Sequence, residues 1–384
     1  MKIALATDWF APRRGGIEWQ LLELAERLAS RGHEVDVLTS TPGATNGAAN
    51  GGAFHVRALD LFTLPTIGLA LSPALFHALR KELRRGYDVV HAHVSVVSPV
   101  GYGAAVVART LGLPAVVTFH SVLRHKRYLL RAVDAVARLS DSAVVWSGVS
   151  QLVARQVRAA LHKAEVSVLP NGIDVAFWTS PRLARRRSET QATTLVSTMR
   201  LHRKKRPLQL LRAFAQAAAR VRSPVRLLIV GDGPERAALD REIRDLGLMQ
   251  GRARAELLGW LDREALRTLY AEADGFALAS TRESFGIAAL EARAMGLPVI
   301  AMRASGSNEF LAHGINALIC DDDEELMQSI ARFLEDAPLR ARLAGGLVAL
   351  ERYDWNAVLL EHEATYHRAT TRAAVAAGAV VGST

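Results

Sequence analysis

The stretch TTLVSTMRLHRKKRPLQLLRAFAQAAARV, residues 193–221, decides how the rest of the chain is read. It opens on a β-rich apolar run (193–199), crosses a cationic loop, and enters a helical pattern from Pro207. Before it lies SPRLARRRSETQA (180–192), which is polar, basic and without periodicity, as an interdomain linker should be. Residue 193 is therefore a restart, because the same strand-and-helix theme has already filled the first half of the chain. There the strand candidates are KIALAT, EVDVLTS, VVHAHV, AVVTFH, SAVVWSG and VSVLPN, with amphipathic segments such as GIEWQLLELAERLASRG between them. After the restart come VRLLIVGDG, AELLGW, GFALAS, LPVIAM and NALICD, again separated by helices.

Apolar strands alternating with amphipathic helices require a parallel sheet covered on both faces. The expected fold class is therefore α/β, with two doubly wound, Rossmann-like domains facing each other across a cleft. The expected boundaries are 1–178 for the N-terminal domain, 179–192 for the linker, 193–354 for the C-terminal domain, and 355–384 for a terminal helix with a frayed tail. A length of 384 residues agrees, since one hydrophobic core rarely organises so long a chain.

Composition narrows the function classes. Half the residues are hydrophobic and mean hydropathy is +0.11, yet no run reaches the roughly 18–20 apolar residues that span a bilayer. The start MKIALATDWF reads as a first strand rather than a signal peptide. A single cysteine, Cys320, excludes a disulfide framework and a multi-cysteine metal site, and a cytoplasmic location is expected. The net charge of +10 favours anionic partners. No nucleic-acid recognition motif accompanies that charge.

Ligands of doubly wound sheets bind beyond the carboxyl ends of the strands, so the loops there are the candidate sites. In DWFAPRRGGIEWQ, Gly15 and Gly16 open a helix whose N–H groups attract anions. A plain tight turn explains them equally well, and the spacing is no dinucleotide fingerprint. His120 ends a strand and points into the expected cleft, where a lone histidine is more often a structural hydrogen-bonding residue than a catalyst. His91 and His93 share a strand face, but no carboxylate or cysteine completes a metal site, so packing or supporting roles are expected. Arg200 and Lys205 stand at a strand end where two cations could neutralise a diphosphate, at about 4 kcal/mol per pair at 4 Å and an effective dielectric near 20. Gly231 and Gly233 suit close backbone approach. In ESFGIAALEA (283–292), Ser284, Phe285 and Gly286 should begin a helix, with Glu283 before it and Glu291 about two turns in. Eight helical residues rise about 12 Å, enough for two carboxylates to take sugar and ribose hydroxyls on either side of a diphosphate. Asp321 and Asp323 lie in an acidic run directly before a helix, where capping is a sufficient explanation.

These segments resemble the family 4 retaining glycosyltransferases of GT-B fold. ESFGIAALE looks like the family's E-x7-E signature. GGIE, LPNGID, MRLHRKKRP, VGDGP and ALEARAMGLPVIAMRASGSNEFL match in order over nearly the whole chain. The resemblance implies that Arg200 and Lys205 hold the donor diphosphate and stabilise it as it leaves. It implies that Glu291 binds the ribose and that Glu283 contacts the donor sugar or its near neighbours. Amides of Ser284, Phe285 and Gly286 would face sugar and phosphate, Gly16 would close the site from the other domain, and His120 would lie near the donor sugar. It further implies that the C-terminal helices cross back to the first domain and that no catalytic metal or other cofactor is needed. Three positions depart from the pattern: Met199 and Arg206 stand where glycines are usual, and SGSNE replaces a Gly-Gly loop near Gly306. Lys204 also stands beside Lys205 as a rival cation.

The resulting expectation is a metal-independent, retaining hexosyltransferase. It would move a sugar from a UDP- or GDP-sugar to an acceptor hydroxyl in cell-envelope glycolipid, polysaccharide or other glycoconjugate synthesis. The alternatives are a nucleotide-sugar-binding regulatory protein and a GT-B sugar-nucleotide epimerase. Arg80, Lys81, Arg84 and Arg85 in ALRKELRRGYD, with SVLRHKRYLLR after His120, could rest on anionic lipid or be solvated faces. That leaves an acceptor glycan or lipid, and peripheral contact with the inner face of a membrane, as the expected partners.

Overall fold

The computed structural model describes the chain except residues 14, 50–51, 60, 62–72, 124–125, 141, 163–164, 180–191, 347–348 and 382–384. Most of the expected linker thus lies outside the described residues. The chain divides into two compact units, one of Met1–Gly172 with Trp355–Thr384 and one of Ile173–Asp354.

The first unit is built on β1 (Lys2–Thr7), β2 (Glu34–Thr39), β3 (Gly47–Ala49), β4 (Phe54–Ala58), β5 (Val89–Val94), β6 (Ala115–Phe119), β7 (Val145–Gly148) and β8 (Val166–Val168). They form one sheet in the order β3-β4-β2-β1-β5-β6-β7-β8, parallel except for the antiparallel edge strand β3. The six strand candidates of this half are all present. β3 and β4 were not anticipated, because FHVRA is half-buried and alternates (Phe54 and Val56 inside, His55 outside) instead of forming the solid apolar run of its neighbours. The core includes Ile3, Leu5, Leu24, Leu28, Val37 and Val116, and the C-terminal helix Trp355–Val381 adds Trp355, Val358, Leu359 and Tyr366 to it.

The second unit is built on β9 (Thr193–Thr198), β10 (Val225–Val230), β11 (Ala253–Gly259), β12 (Gly275–Leu278), β13 (Val299–Met302) and β14 (Ala317–Cys320). All pairings are parallel, in the order β11-β10-β9-β12-β13-β14. Helices Pro207–Arg220 and Asp323–Glu335 pack together over one face and bury Leu211, Phe214, Ile330 and Phe333, each contributing about 1.5–3 kcal/mol. Residues 173–178 belong to this unit and not to the first, as the 1–178 boundary had it. Ile173 N–H donates to the Tyr353 carbonyl at 2.8 Å, and the buried Trp178 ring packs on Tyr270, with centroids 5.8 Å apart. The chain winds outward from β9 to β11 and then returns to β12 on the other side of β9. Loops leaving β9 and β12 therefore diverge and open a crevice at their carboxyl ends.

Candidate functional site

The loop after β9 runs through Met199–Arg206 into helix Pro207–Arg220, and the loop after β12 runs through Ala279–Gly286 into helix Ile287–Ala294. Lys205 and Glu283 meet between them, with Lys205 Nζ donating to Glu283 Oε2 at 2.6 Å and Oε1 at 2.9 Å. Their side chains are 33% and 12% exposed, so the ammonium is partly shielded and the carboxylate nearly so. The Glu283 carbonyl also accepts from Gly306 N–H at 2.8 Å, which pins this residue at backbone and side chain alike. Arg200 and Lys204 are exposed, and among the described residues neither side chain has a hydrogen-bonding or ionic partner. Of the nearby cations, Arg203 pairs with Glu235 and Arg206 with Asp323. Arg200 and Lys204 thus carry the uncompensated charge, while Arg203, Lys205 and Arg206 are each held by a carboxylate.

The second carboxylate lies differently from the expectation. The helix begins at Ile287, after Gly286 at φ 95°, so Ser284–Gly286 precede it and Glu291 is just over one turn in. The four helical steps from Ile287 to Glu291 rise about 6 Å, and the span to Glu283 is set by a loop, not by eight residues of helix. Beside Glu291 stands Tyr270, whose O–H donates to Thr198 Oγ1 at the end of β9, at 2.9 Å. Burial foremost, and then the Glu291 carboxylate, push the Tyr270 hydroxyl well above its ordinary value. Phe285 is an anchor, buried against Phe310 and Tyr353. A β-carbon on Gly306 would fall 2.0 Å from the Ser284 carbonyl oxygen, which is why the SGSNE loop can lie directly on Ser284–Gly286. Gly231 and Gly233 are likewise accounted for by the chain itself. Added β-carbons would lie 1.9 Å from the Met199 carbonyl oxygen and 2.4 Å from that of Leu201.

The acidic run is occupied by partners within the chain. Asp322 Oδ1 caps helix Asp323–Glu335 by accepting from Glu325 N–H at 2.9 Å, Asp321 pairs with Arg303, and Asp323 pairs with Arg206.

In the first unit, Gly15 is the extended residue before the helix that Gly16 begins. The chain's own Glu18 carboxylate folds over that helix start, with Oε2 2.3 Å from where a Gly15 β-carbon would be, and pairs with Arg13 Nε at 2.9 Å. His120 is 7% exposed, and its Nε2 lies 2.9 Å from His93 Nδ1. Burial, aided by His362, lowers His120 to about 3, so the ring is neutral at physiological pH. His91 sits between Tyr366 O–H at 2.9 Å and Thr118 Oγ1 at 2.7 Å. Both strand histidines are thus packing and hydrogen-bonding residues. His93, His120 and His362 line a small pocket with Gln20, Thr118 and Asn171.

Sequence reading missed two features here. His362 and Tyr366 come from a helix more than two hundred residues away, and nothing local marks them. Asp8 was legible in principle, being the first residue after β1. It is fully buried, accepts from Val100 N–H at 3.0 Å, and is raised to about 6, chiefly by burial.

Two family models match the chain: Glycosyltransferase Family 4 over residues 14–177 and Glycosyl transferases group 1 over residues 183–345. The D-inositol 3-phosphate glycosyltransferase of Acidothermus cellulolyticus is 30% identical, covering 89% of this chain and 83% of the relative. The chain belongs to the family 4 glycosyltransferases. A phosphatidylinositol N-acetylglucosaminyltransferase chain of Homo sapiens is 27% identical over 97% of this glycosyltransferase and 77% of the human protein. Among solved structures, Anabaena HepE in complex with UDP and glucose shares the fold, with a TM-score of 0.69 and 23% identity over 95% of this chain and 98% of that one. WaaG, a glycosyltransferase involved in lipopolysaccharide biosynthesis, gives a TM-score of 0.71 at 18% identity, over 94% and 99% of the two chains. The fold is GT-B, with two Rossmann-like domains.

Two departures of this glycosyltransferase from its family's pattern now have structural accounts. Met199 is 6% exposed and packs into the second core. Arg206 adopts the left-handed conformation, φ 57°, that a glycine would take freely and that costs other residues roughly 1–2 kcal/mol.

Proposed function

We propose that this glycosyltransferase moves a sugar from a UDP- or GDP-sugar to an acceptor hydroxyl, with retention of anomeric configuration and without a catalytic metal. The observation that carries the reading is the meeting of Lys205 with Glu283 at the β9/β12 crevice, with the unpaired Arg200 on the same loop. Arg200 and Lys205 hold the diphosphate and take up the charge that grows on it as the bond from the anomeric carbon to the phosphate oxygen breaks. The acceptor oxygen bonds to that carbon from the face the diphosphate leaves, and the departing phosphate takes its proton, so no enzyme nucleophile is needed. Glu291 accepts from the ribose hydroxyls, and Glu283 positions Lys205 and meets the donor sugar. Backbone N–H groups of Ser284–Gly286 face sugar and phosphate. His120 is neutral and acts as a hydrogen-bonding group, not as a cationic acid.

The acceptor we propose is an inositol phosphate headgroup, free or lipid-borne. Supporting it are the names of the curated relatives, which specify D-inositol 3-phosphate and phosphatidylinositol, and a net charge of +10. Arg80, Lys81, Arg84 and Arg85 are exposed on and after helix Ala74–Leu83, which suits peripheral contact with an anionic membrane surface from the cytoplasmic side. Among the described residues no helix is long and apolar enough to cross a membrane. Arg124 and His125 of the second basic segment lie outside the described residues.

A matrix of UDP- and GDP-sugars against inositol phosphates, phosphatidylinositol vesicles and glycan acceptors tests this reading, with nucleoside diphosphate release as the readout and proton NMR of the product anomer. Acceptor-dependent release with a retained anomer is expected. Tight nucleotide binding without release from any pair would overturn the transfer reading.

A further inference from the structure

Arg206 is one of two non-glycine residues with positive φ among the described residues. It lies between the turn Arg203–Lys205 and helix Pro207–Arg220. A strained conformation persists where its surroundings over-determine it, and here the guanidinium supplies the constraint. Arg206 Nη2 donates to Asp323 Oδ1 at 2.6 Å and Oδ2 at 2.5 Å, and Nη1 donates to the Ala279 carbonyl at 3.4 Å. Asp323 opens the helix that packs along Pro207–Arg220. Ala279 follows β12, four residues before Glu283. One side chain therefore ties the Lys205 loop both to the helix after β14 and to the strand end that leads to Glu283.

We infer that Arg206 is a positioning residue: its clamp on Asp323 and Ala279 holds Lys205 where the donor diphosphate is to be met. The inference rests on the reading of Lys205 as a diphosphate ligand. Nη2 holds both Asp323 oxygens while Nη1 meets the Ala279 carbonyl, so two separate anchors fix the direction of the guanidinium as well as its distance. Its stabilising effect is small, because Asp323 is 55% exposed and exposed pairs add little. Position and stability can therefore be separated. In R206G the left-handed backbone is accepted without strain while the clamp is lost. In D323A the guanidinium remains but is released.

The experiment measures UDP and GDP affinity by calorimetry, and the unfolding midpoint, for the full chain and for R206G, D323A and the double variant. Nucleoside diphosphate affinity should fall at least five-fold in R206G with its Tm unchanged or raised. It should fall similarly in D323A and no further in the double variant, since the two residues act as one unit. Tighter binding by D323A would mean that a released Arg206 touches phosphate itself, and would overturn the inference. So would wild-type affinity in both single variants, or a loss of affinity in R206G that merely follows a fallen Tm. If the unaltered protein binds neither UDP nor GDP, the reading of Lys205 fails, which is distinguishable before any variant is made.

Discussion

Replacing Lys205 by alanine should disable donor use in two ways, whose sizes follow from the geometry. An ammonium about 4 Å from a phosphate charge contributes about 4 kcal/mol at an effective dielectric near 20. Lys205 is 33% exposed, and solvent and salt reduce this to about 2 kcal/mol. The substitution also strips Glu283, 12% exposed, of the ammonium 2.6 Å away. The orphaned carboxylate then repels the incoming diphosphate by about 1–2 kcal/mol more. The sum, about 3–4 kcal/mol, corresponds to a loss of roughly 10²–10³-fold in kcat/KM. The assay is steady-state nucleoside diphosphate release, with UDP or GDP affinity by calorimetry and an unfolding curve to show that the variant is folded. The K205A/E283Q double variant should bind UDP about ten-fold better than K205A alone, because the repulsion has gone. Affinity and kcat/KM of K205A within about three-fold of the unaltered protein would refute the diphosphate assignment. A double variant no better than K205A would refute the repulsion argument alone.

Glu291→Ala should weaken UDP binding by about ten-fold and abolish discrimination against 2′-deoxy-UDP; unchanged discrimination would remove Glu291 from the ribose. Stability should fall as pH drops below about 6.5, because an unfolded histidine takes up a proton that folded His120, at about 3, and His362, at about 4, refuse. Each contributes a slope of about 1 kcal/mol per pH unit below that point. Asp8 acts in the opposite sense, since its stabilisation is full below its ordinary 3.8 and is lost as pH rises through about 6. Urea unfolding at about pH 7.5 and about pH 5 should therefore show the histidines prevailing, and a flat profile would contradict their burial. Gly231→Ala should cost about 3 kcal/mol or more, its β-carbon being 1.9 Å from the Met199 oxygen at φ 125°. Gly247→Ala, at φ 67° with open space around it, should cost about 1 kcal/mol; equal thermal shifts would refute the steric account.

The amino-acid order by itself determined the repeating strand-and-helix plan and twelve of the fourteen strands among the described residues, because burial on both sheet faces leaves a near-continuous apolar signature in most of them. It also placed Arg200, Lys205 and Glu283 at strand ends, since in this fold a strand's carboxyl end is a position along the chain. β4 escaped because a half-buried strand does not carry that signature. The histidine cluster was beyond reach, because His91 and Tyr366 stand 275 positions apart and meet only once the chain between them has folded. Tertiary structure alone decided which charges are spent. Lys205 on Glu283 and Arg206 on Asp323 are contacts between side chains whose spacing in sequence says nothing about distance. The same holds for Gly231 and Gly233. Glycine marks a place where backbone comes close to something, and only the folded chain shows that here the something is the backbone of Met199 and Leu201.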